Sequence, residues 1–378
     1  MNLAIVSPGK NIYSETFIQA HKQIKADNVL FYYGNTIPNY LENKGIINIC
    51  RDALNFRDLS RLFLSIRPYS LFRKDHSIKA HLFGRSLRNE KIDVVLAEFG
   101  PTGVACMNIC KDLRIPLITH FHGHDITADL KNYEEKYKEL IKYSSYVVGV
   151  SKEMVNTLIS LGAPENKVLY TPCGPNPRFF NNSPVFKSNN FLSVGRFVDK
   201  KAPYYTIMSF KGVIEKHPDA ILNMVGDGPL LPTCKNLIKY FNLQNNIRLL
   251  GVKSPDEICE LHNKSIAFIQ HSITAENGDK EGTPVGIMEA AASGLPVIST
   301  YHAGIPDVII DKQTGLLCGE HDVASMTNNI LWVLENKTLA KSMGKASKER
   351  IKSEFSLEKH LGLLSEVVER AYIESKSF

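Results

Sequence analysis

The sequence predicts an α/β protein with two doubly wound domains, each built on a parallel sheet between layers of helices. Short apolar runs alternate with segments of helical periodicity along the chain, which is the pattern of repeated strand–helix units. The length of 378 residues exceeds the usual size of one hydrophobic core. The alternation also restarts after the polar, turn-rich segment 181–184, so we place the linker between the domains there.

Each strand and helix follows from this alternation. Apolar runs in the first half predict strands at 3–7, 29–33, 46–50, 94–98, 117–120 and 146–150. Helical spacing between those runs predicts helices at 15–25, 77–89, 103–113, 133–143 and 152–161. In the second half, strands are predicted at 191–194, 221–225, 247–250, 267–271 and 296–299. The helices among them are predicted at 204–216, 230–241, 255–263, 284–292 and from 323 onward.

The composition, with 43% apolar and 22% charged residues, is that of an ordinary soluble globular protein. No apolar run approaches the roughly 18 residues of a membrane span. The first residues lack a basic lead, which predicts a buried strand and not a signal peptide. The seven cysteines include no Cys-x-x-Cys pair, so we expect buried thiols and a cytoplasmic protein.

Basic residues are concentrated in the segment 51–91, whose ten cations and four carboxylates give a net charge of +6, equal to that of the whole chain. Apolar side chains such as Phe56, Leu62 and Phe72 are mixed with these cations. Such a mixture suits an anionic membrane surface, so we expect this segment to dock on the inner face of the plasma membrane. The alternative is a pair of solvated helices whose apolar residues face the core. Nucleic acid is not expected as a partner, because no recognised binding module accompanies the charge.

Two carboxylates flank a predicted helix start in the segment Glu281-Gly-Thr-Pro-Val-Gly-Ile-Met-Glu289. Thr283 is suited to the N-cap of this helix and Pro284 to its first residue. Glu281 then lies just outside the helix N-terminus, and Glu289 lies more than one turn inside it. Free amides at a helix N-terminus favour an anion such as phosphate, while carboxylates accept hydrogen bonds from paired hydroxyls. A nucleotide sugar has both features.

Further motifs occur around this segment in a fixed order. They are Ser14-Glu-Thr-Phe-Ile18, His122-Gly-His-Asp125, Val194-Gly-Arg-Phe-Val-Asp-Lys-Lys201, Val225-Gly-Asp-Gly-Pro229, Ala291-Ala-Ser-Gly-Leu-Pro-Val-Ile-Ser-Thr300, Gly304-Ile-Pro-Asp307 and Thr314-Gly-Leu-Leu317. Together with the two carboxylates, these motifs resemble glycosyltransferase family 4, whose members are retaining sugar transferases with the GT-B fold. The pairing of the motifs is similar to the bacterial exopolysaccharide and lipopolysaccharide branch of that family.

The resemblance implies two Rossmann-like domains that face a central cleft, and a C-terminal helix that crosses back to the first domain. It assigns acceptor binding to residues 1–182, nucleotide-sugar binding to 187–356 and the returning helix to 357–378. The implied enzyme is a hexosyltransferase that uses a nucleotide diphosphate sugar, UDP in preference to GDP. Its implied acceptor is a hydroxyl of a glycan or lipid-linked glycan in cell-surface polysaccharide biosynthesis. No cofactor and no metal are expected, because cationic side chains and amides would take the place of a metal at the diphosphate.

Arg196 and Lys201 follow the first strand of the second domain, at the end of a parallel sheet where ligands bind. The resemblance assigns both to the diphosphate of the donor, with Lys200 as the rival of Lys201. Two solvated loop cations are the alternative. Glu281 is assigned to the transferred sugar and Glu289 to the ribose. The apolar neighbours of Glu289 predict a buried carboxylate that needs a partner.

Backbone groups are expected to complete the donor site. The phosphate cradle is assigned to the segment that contains Gly282, Thr283, Pro284 and Val285. Gly226 and Asp227 are further donor-site residues, although Asp227 between two glycines is equally suited to a turn.

His122 and Asp125 lie in a turn after a predicted strand. The resemblance brings His122 to the reacting face of the sugar, where its backbone or ring would position the sugar and stabilise developing positive charge. Asp125 would orient this turn or accept a hydrogen bond from the acceptor hydroxyl, and N-capping of the next helix is equally open. A metal site of His120, His122 and His124 would require the strand to continue, and Gly123 argues for a turn instead.

The chain departs from the family pattern at two places. The loop Ser14-Glu15-Thr16 lacks the Gly-Gly pair that many members carry, so both acceptor contact and helix capping remain open for it. His271-Ser272 stands where Pro-Ser is commoner. Rival functions are a sugar-nucleotide epimerase or phosphorylase on the same architecture, and a non-catalytic nucleotide-sugar-binding module. A dehydrogenase is disfavoured, because the Gly-x-Gly-x-x-Gly fingerprint is missing.

Overall fold

The structure is a computed structural model that describes residues 1–10, 16–47 and 71–377, with the backbone alone described for residues 16 and 71–77. The chain separates into two compact units. The first comprises Met1–Gly149, Val155–Leu169 and Leu361–Phe378, and the second comprises Val150–Met154 and Tyr170–His360. None of the helices in the described ranges combines the length and apolar character needed to cross a membrane.

Within the described residues, the first unit is organised around an eight-stranded sheet. Its strands are β1 (Asn2–Ser7), β2 (Asn28–Tyr33), β3 (Tyr40–Leu41), β4 (Gly45–Ile46), β5 (Val94–Glu98), β6 (Leu117–Phe121), β7 (Tyr146–Gly149) and β8 (Val168–Tyr170). They lie in the order β4-β3-β2-β1-β5-β6-β7-β8. From β2 to β7 neighbouring strands are parallel, whereas β3 and β4 form an antiparallel edge. Nearly all residues of β1 and β5 are buried, as strands covered on both faces require.

Helices alternate with these strands, as the sequence predicts. They are α1 (Thr16–Ala20), continued by a 3-10 turn at His21–Gln23, α2 (Leu71–Asn89), α3 (Gly100–Leu113), α4 (Leu130–Tyr143) and α5 (Lys152–Ser160). Helix α3 begins three residues before its predicted start, because Pro101 is well suited to a first helical turn. The predicted strand 46–50 is described only as far as residue 47, and its remainder lies outside the described residues.

The second unit contains a parallel sheet of six strands within the described chain. They are β9 (Asn190–Val194), β10 (Ile221–Val225), β11 (Ile247–Leu249), β12 (Ala267–Ile269), β13 (Val297–Thr300) and β14 (Gly315–Cys318), in the order β11-β10-β9-β12-β13-β14. Its helices are α6 (Pro203–Ile214), α7 (Leu231–Tyr240), α8 (Pro255–Asn263), α9 (Val285–Ala292), α10 (Ile305–Val308), α11 (Val323–Glu335) and α12 (Lys337–Glu354). Residues 170–182, assigned to the first domain from the sequence, belong to this unit, and Phe179 is buried in its core.

The last helix, α13 (Leu357–Lys376), begins in the second unit and continues in the first. Its Leu364 and Val368 are fully buried beside Leu3 and Ile5 of the first sheet. Two Rossmann-like sheets with covering helices and a returning C-terminal helix confirm the predicted fold class.

In both sheets the strand order reverses beside the first strand of the unit. Strands β2 and β5 flank β1, and strands β10 and β12 flank β9. Ligands of doubly wound sheets bind at the carboxyl ends of the strands at such a point. We therefore expect functional side chains in the loops that follow β5, β9 and β12.

Candidate active site

The loops that follow β9 and β10 are joined backbone to backbone. The N–H of Gly195 donates to the Val225 carbonyl oxygen at 3.0 Å, and the N–H of Phe197 donates to that of Asp227 at 2.9 Å. Gly226 permits this approach, since its φ is +135° and a Cβ there would lie 2.0 Å from the Gly195 carbonyl oxygen. The exposed Asp227 side chain accepts from the next N–H in the chain at 2.7 Å, as a turn residue does.

Lys201 lies at the centre of a charged cluster in the second unit. Its Nζ is 3.1 Å from Glu281 Oε1, in an ion pair, and 3.4 Å from Gln270 Oε1. Burial lowers the pKa of Lys201, and the Glu281 carboxylate opposes this effect. Burial alone would raise the pKa of Glu281, but the ammonium groups of Lys201 and Lys200 outweigh it and hold that pKa below its usual value. The two partners are only 14% and 7% exposed, so little solvent screens the pair.

Arg196 lies in the same part of the second unit. It is exposed and lines, together with Lys201 and Gln270, a small cavity at the carboxyl end of β9. Its charge contributes to the lowered pKa of Lys201, as expected of two neighbouring cations. Two cations beside one carboxylate leave a net positive charge of the kind that binds phosphate.

Lys200 points away from this cluster. Its Nζ donates to Asp279 Oδ1 at 2.9 Å and to the Lys280 carbonyl oxygen at 3.1 Å. Lys200 and Lys201 belong to one 3-10 turn, in which successive side chains point about 120° apart. Lys201 therefore pairs with Glu281, and Lys200 anchors the loop that precedes Glu281.

Helix α9 begins without a side-chain cap. The hydroxyl of Thr283 donates to the Val150 carbonyl oxygen, and Pro284 occupies the N-cap with φ −65° and ψ 117°. The prediction of Thr283 as N-cap and Pro284 as first helical residue is therefore wrong by one residue, and the Thr283 hydroxyl is directed to the Val150 carbonyl oxygen and not to a helix amide. No side chain among the described residues caps this helix. The first amides of α9, close to Glu281 in the chain, thus lack intrahelical acceptors.

Glu289 lies on α9, about one turn beyond Val285, and is partly buried. Burial raises the pKa of its carboxyl to about 8, and the charge of Arg178 opposes the shift. In the described part of the chain, no group donates a hydrogen bond to this carboxyl. An ionised carboxylate held from water without donors is costly, so this position favours a ligand that brings hydroxyl donors.

A second buried carboxylate ends β5 in the first unit. Glu98 Oε1 is 2.6 Å from His21 Nδ1, and its Oε2 is 3.2 Å from His120 Nδ1 and 3.0 Å from His122 Nε2. Burial alone would raise the pKa of Glu98, but the three histidines outweigh it and hold that pKa well below its usual value. Burial lowers the pKa of His120 to about 4, so this ring is neutral. The carboxylate of Glu98 therefore finds its hydrogen-bond donors within the protein.

The same contacts fix the ring of His122. Because the ionised Glu98 accepts a hydrogen bond from Nε2, the ring keeps a proton on that nitrogen. The rings of Phe17 and Phe99 also pack against it, with centroids 4.8 and 4.7 Å from that of His122. The side chain is 9% exposed. His122 thus has one defined orientation.

Asp125 supports the backbone of the turn that carries His122. Its Oδ1 accepts from the N–H of His122 at 2.9 Å, and its Oδ2 accepts from the N–H of Gly100 at 2.6 Å. Asp125 is 2% exposed, and burial raises its pKa to about 6. Its carboxylate lies at the N-terminus of α3, where the helix dipole favours negative charge. Of the roles left open by the sequence, this geometry favours orientation of the turn.

Three groups of this cluster have the composition of a metal site, namely His21, Glu98 and His120. The 2.6 Å between His21 Nδ1 and Glu98 Oε1 is a hydrogen-bond distance. Two ligands of a tetrahedral metal lie about 3.4 Å apart. His124 lies outside the cluster on an exposed turn, with Nε2 3.7 Å from Asp129 Oδ1. The arrangement is that of histidines hydrogen-bonded to one ionised carboxylate.

The structure brings three of the predicted donor residues together at one edge of the second sheet: Arg196, Lys201 and Glu281. Glu289 lies apart from them on α9, near Arg178 and Cys259. Glu98 was missed by the sequence reasoning, although a carboxylate that ends a fully apolar run is a signal for a functional strand end. Ser14, Glu15, the side chain of Thr16 and much of the basic segment 51–91 lie outside the described residues.

Two family models match the chain. One, described as glycosyl transferases group 1, matches residues 177–350, and the other, described as glycosyltransferase family 4, matches residues 51–179. Together they extend over both units.

Relatives match over most of their length. The amylovoran biosynthesis glycosyltransferase AmsK of Erwinia amylovora is 29% identical over 286 residues, which are 74% of this chain and 70% of AmsK. An uncharacterized glycosyltransferase of Methanocaldococcus jannaschii is 30% identical over 288 residues, 75% of this chain and 77% of the relative. Anabaena HepE, solved in complex with UDP, has a TM-score of 0.76 at 14% identity and covers 98% of this chain and 99% of its own. At this low identity, the similarity to HepE shows a shared fold.

Proposed function

Because this chain belongs to glycosyltransferase family 4, we propose that it is a retaining hexosyltransferase that uses a UDP-sugar. The proposed acceptor is a hydroxyl of a glycan or lipid-linked glycan in exopolysaccharide biosynthesis. The name of AmsK, a glycosyltransferase of amylovoran biosynthesis, supports this setting, and the UDP complex of HepE supports the nucleotide. The observation that carries the proposal is the Lys201–Glu281 ion pair beside Arg196 and close to the uncapped start of α9.

The ribose of the donor is assigned to Glu289. Its carboxyl has a raised pKa and no hydrogen-bond donor among the described residues. A diol offers two O–H donors to one carboxylate, and such charge-assisted hydrogen bonds are stronger than neutral ones. The bound ribose would then lower the pKa of Glu289, so nucleotide binding would release a proton.

The diphosphate is assigned to Arg196, Lys201 and the amides that begin α9. An arginine fork and an ammonium group both pair with phosphate oxygens, and uncapped helix amides add donors of fixed direction. The tight turn at Gly226 and Asp227 holds the loop that carries Arg196. These groups would stabilise the charge on the departing UDP without a metal.

The transferred sugar is assigned to Glu281, whose carboxylate Lys201 holds in place. For His122 of the first unit, the family resemblance supports a role toward the reacting face of the sugar. Glu98 holds the ring of His122 and Asp125 holds its N–H, so we assign both carboxylates as positioning residues.

The proposed reaction is a same-face displacement. The bond between the anomeric carbon and the phosphate oxygen breaks, and a bond from that carbon to the acceptor oxygen forms on the same face. The proton of the acceptor hydroxyl passes to the leaving phosphate oxygen. No covalent sugar–enzyme intermediate is included, because the Glu281 carboxylate is paired with Lys201.

The test is a panel of UDP- and GDP-hexoses, with nucleotide release as the first readout and NMR of the acceptor-linked product as the second. We expect UDP release and retention of the anomeric configuration of the donor. Inversion would contradict the retaining reaction. A free epimerised nucleotide sugar would indicate an epimerase, transfer to and from phosphate a phosphorylase, and binding without turnover a binding module.

Within this test, Arg196→Ala probes the diphosphate assignment. Removing a charged hydrogen-bond partner should cost about 1.5–3 kcal/mol, or roughly ten- to a hundredfold in kcat/KM. Arg248→Ala, which removes an exposed arginine from β11, is the matched control and should leave kcat/KM unchanged. Wild-type turnover by Arg196→Ala with every donor would contradict the assignment.

A further inference from the structure

Two buried histidines follow neighbouring strands of the second sheet. His271 lies two residues after β12, and His302 lies two residues after β13. They are 0% and 1% exposed. Each ring accepts a backbone N–H at Nε2, His302 from Glu281 at 3.1 Å and His271 from His321 at 3.0 Å. Both contacts lie within the second unit.

The first of these contacts fixes the tautomer of His302. A ring nitrogen that accepts a hydrogen bond carries no proton, so the proton of His302 lies on Nδ1. That atom is 2.6 Å from Glu320 Oε1, to which it donates. Burial would raise the pKa of Glu320, but the hydrogen bond from His302 helps to outweigh it and the pKa is lowered. An ionised carboxylate therefore sets both the tautomer and the orientation of the ring.

Glu320 also holds the beginning of the loop that ends at Glu281. Its Oε2 accepts from the N–H of Thr274 at 2.8 Å. The segment from Thr274 to Glu281 is thus attached at both ends to the single pair of His302 and Glu320. Fixing both ends of a loop removes much of its backbone freedom before any ligand arrives.

Lys200 adds a further attachment to the same loop, and His271 supports the segment that carries Glu320. His271 holds the N–H of His321, the residue next to Glu320, and burial lowers the pKa of His271 to about 4, so the ring stays neutral and able to accept. Lys200 holds the loop through its ammonium group, which donates to Asp279 at 2.9 Å. The departure from the family pattern at His271 therefore has a structural role, since the side chain of proline has no hydrogen-bond acceptor.

We propose that His302 and Glu320 are positioning residues that preset Glu281 for the donor sugar. The proposal rests on the proposed function, in which Glu281 binds that sugar. Neither His302 nor Glu320 contacts the substrate in this proposal. Both act through the main-chain N–H of Glu281, which His302 accepts. Loss of the pair should then affect steps that involve the sugar more than binding of the nucleotide, since a displacement of about 1 Å at a reacting group can cost a hundredfold in rate.

The test compares His302→Phe with His302→Gln. Phenylalanine fills a similar volume and has no acceptor, whereas the side-chain oxygen of glutamine can accept the N–H of Glu281. Hydrogen exchange in a peptide that spans 274–283 of the unliganded protein should be about tenfold faster in His302→Phe, the equivalent of one hydrogen bond. It should be close to wild type in His302→Gln. Tyr301→Phe, at the exposed neighbouring position, is the control and should change nothing.

Activity provides the second readout. With a UDP-sugar that the wild type turns over, kcat/KM should fall about tenfold or more in His302→Phe and recover in His302→Gln. The Kd of UDP, which carries no sugar, should stay within about twofold. Wild-type exchange and turnover in His302→Phe, or equal losses for UDP and UDP-sugar, would overturn the proposal. If the wild type turns over no nucleotide sugar, the proposed function fails, and the exchange experiment still decides whether His302 anchors the loop.

Discussion

Glu98 in the first unit and Glu289 in the second are both carboxyl groups withdrawn from water, yet their pKa values move in opposite directions. Despite complete burial, three histidines hold the pKa of Glu98 well below its usual value. Burial without a donor raises the pKa of Glu289 to about 8. The first carboxylate finds its partners in the protein, while the second has none in the described residues. The difference shows that a carboxyl group withdrawn from water can keep its charge when the protein supplies hydrogen-bond donors, as at Glu98. Without such donors, as at Glu289, it is a candidate position for a ligand that brings them.

The largest expected effect is on the stability of Glu98→Gln. The substitution removes the ionised acceptor around which three buried histidines are arranged, and the loss of each hydrogen bond to a charged acceptor costs about 1.5–3 kcal/mol. The free energy of unfolding, measured by urea denaturation, should fall by at least that amount. Glu289→Gln is the matched control and should leave the free energy of unfolding unchanged or raise it, because the wild-type carboxyl is costly to ionise. A similar loss of unfolding free energy in both variants would contradict the difference drawn between Glu98 and Glu289.

The next effect concerns nucleotide binding. Glu289→Gln should weaken UDP binding by roughly ten- to a hundredfold in calorimetry, since hydrogen bonds to a charged acceptor are worth about 1.5–3 kcal/mol. The pKa of about 8 adds a pH dependence. The carboxyl gains its charge as the pH rises through that value, so wild-type affinity for UDP should increase from pH 7 to 9. The variant should show no such increase. A flat wild-type profile with unchanged affinity in the variant would place the ribose elsewhere.

The smallest expected effect is that of chelation. Nucleotide release in the presence of EDTA should stay within about twofold of the untreated rate, because Arg196 and Lys201 supply the positive charge that a metal would otherwise bring. The melting temperature should also be unchanged, since the donor groups around Glu98 already bond to one another. Complete loss of activity that Mg²⁺ restores would contradict the first expectation, and a shift in melting temperature that Zn²⁺ reverses would contradict the second.

Much of the fold could be predicted because the signals that define it are local. An apolar run between polar turns marked β5 and β10, and both have their predicted bounds of 94–98 and 221–225. Helix α8 also has its predicted bounds of 255–263, with Ser254 in a capping box. At α9 the local signal failed, because Thr283 bonds to Val150, which is distant in the sequence.

The partners of the site residues could not be predicted in this way. Glu98 meets three histidines from two distant places in the chain, and His302 meets Glu281 and Glu320 across 21 and 18 positions. Such contacts depend on which strands pack side by side, and the periodicity of apolar residues in the sequence does not predict that order. The predicted membrane contact of the segment 51–91 remains a prediction, since residues 51–70 lie outside the described residues.

Helix α13 has a consequence for the order in which the protein is completed during synthesis. The core of the first unit joins Leu3 and Phe31, which leave the ribosome early, with Leu364 and Val368, which leave it after almost every other described residue. The buried core of the second unit extends only from Phe179 to Phe355, so it can close sooner. Nascent chains usually fold their N-terminal domain first. Here the unit whose residues are translated first is the one that finishes last.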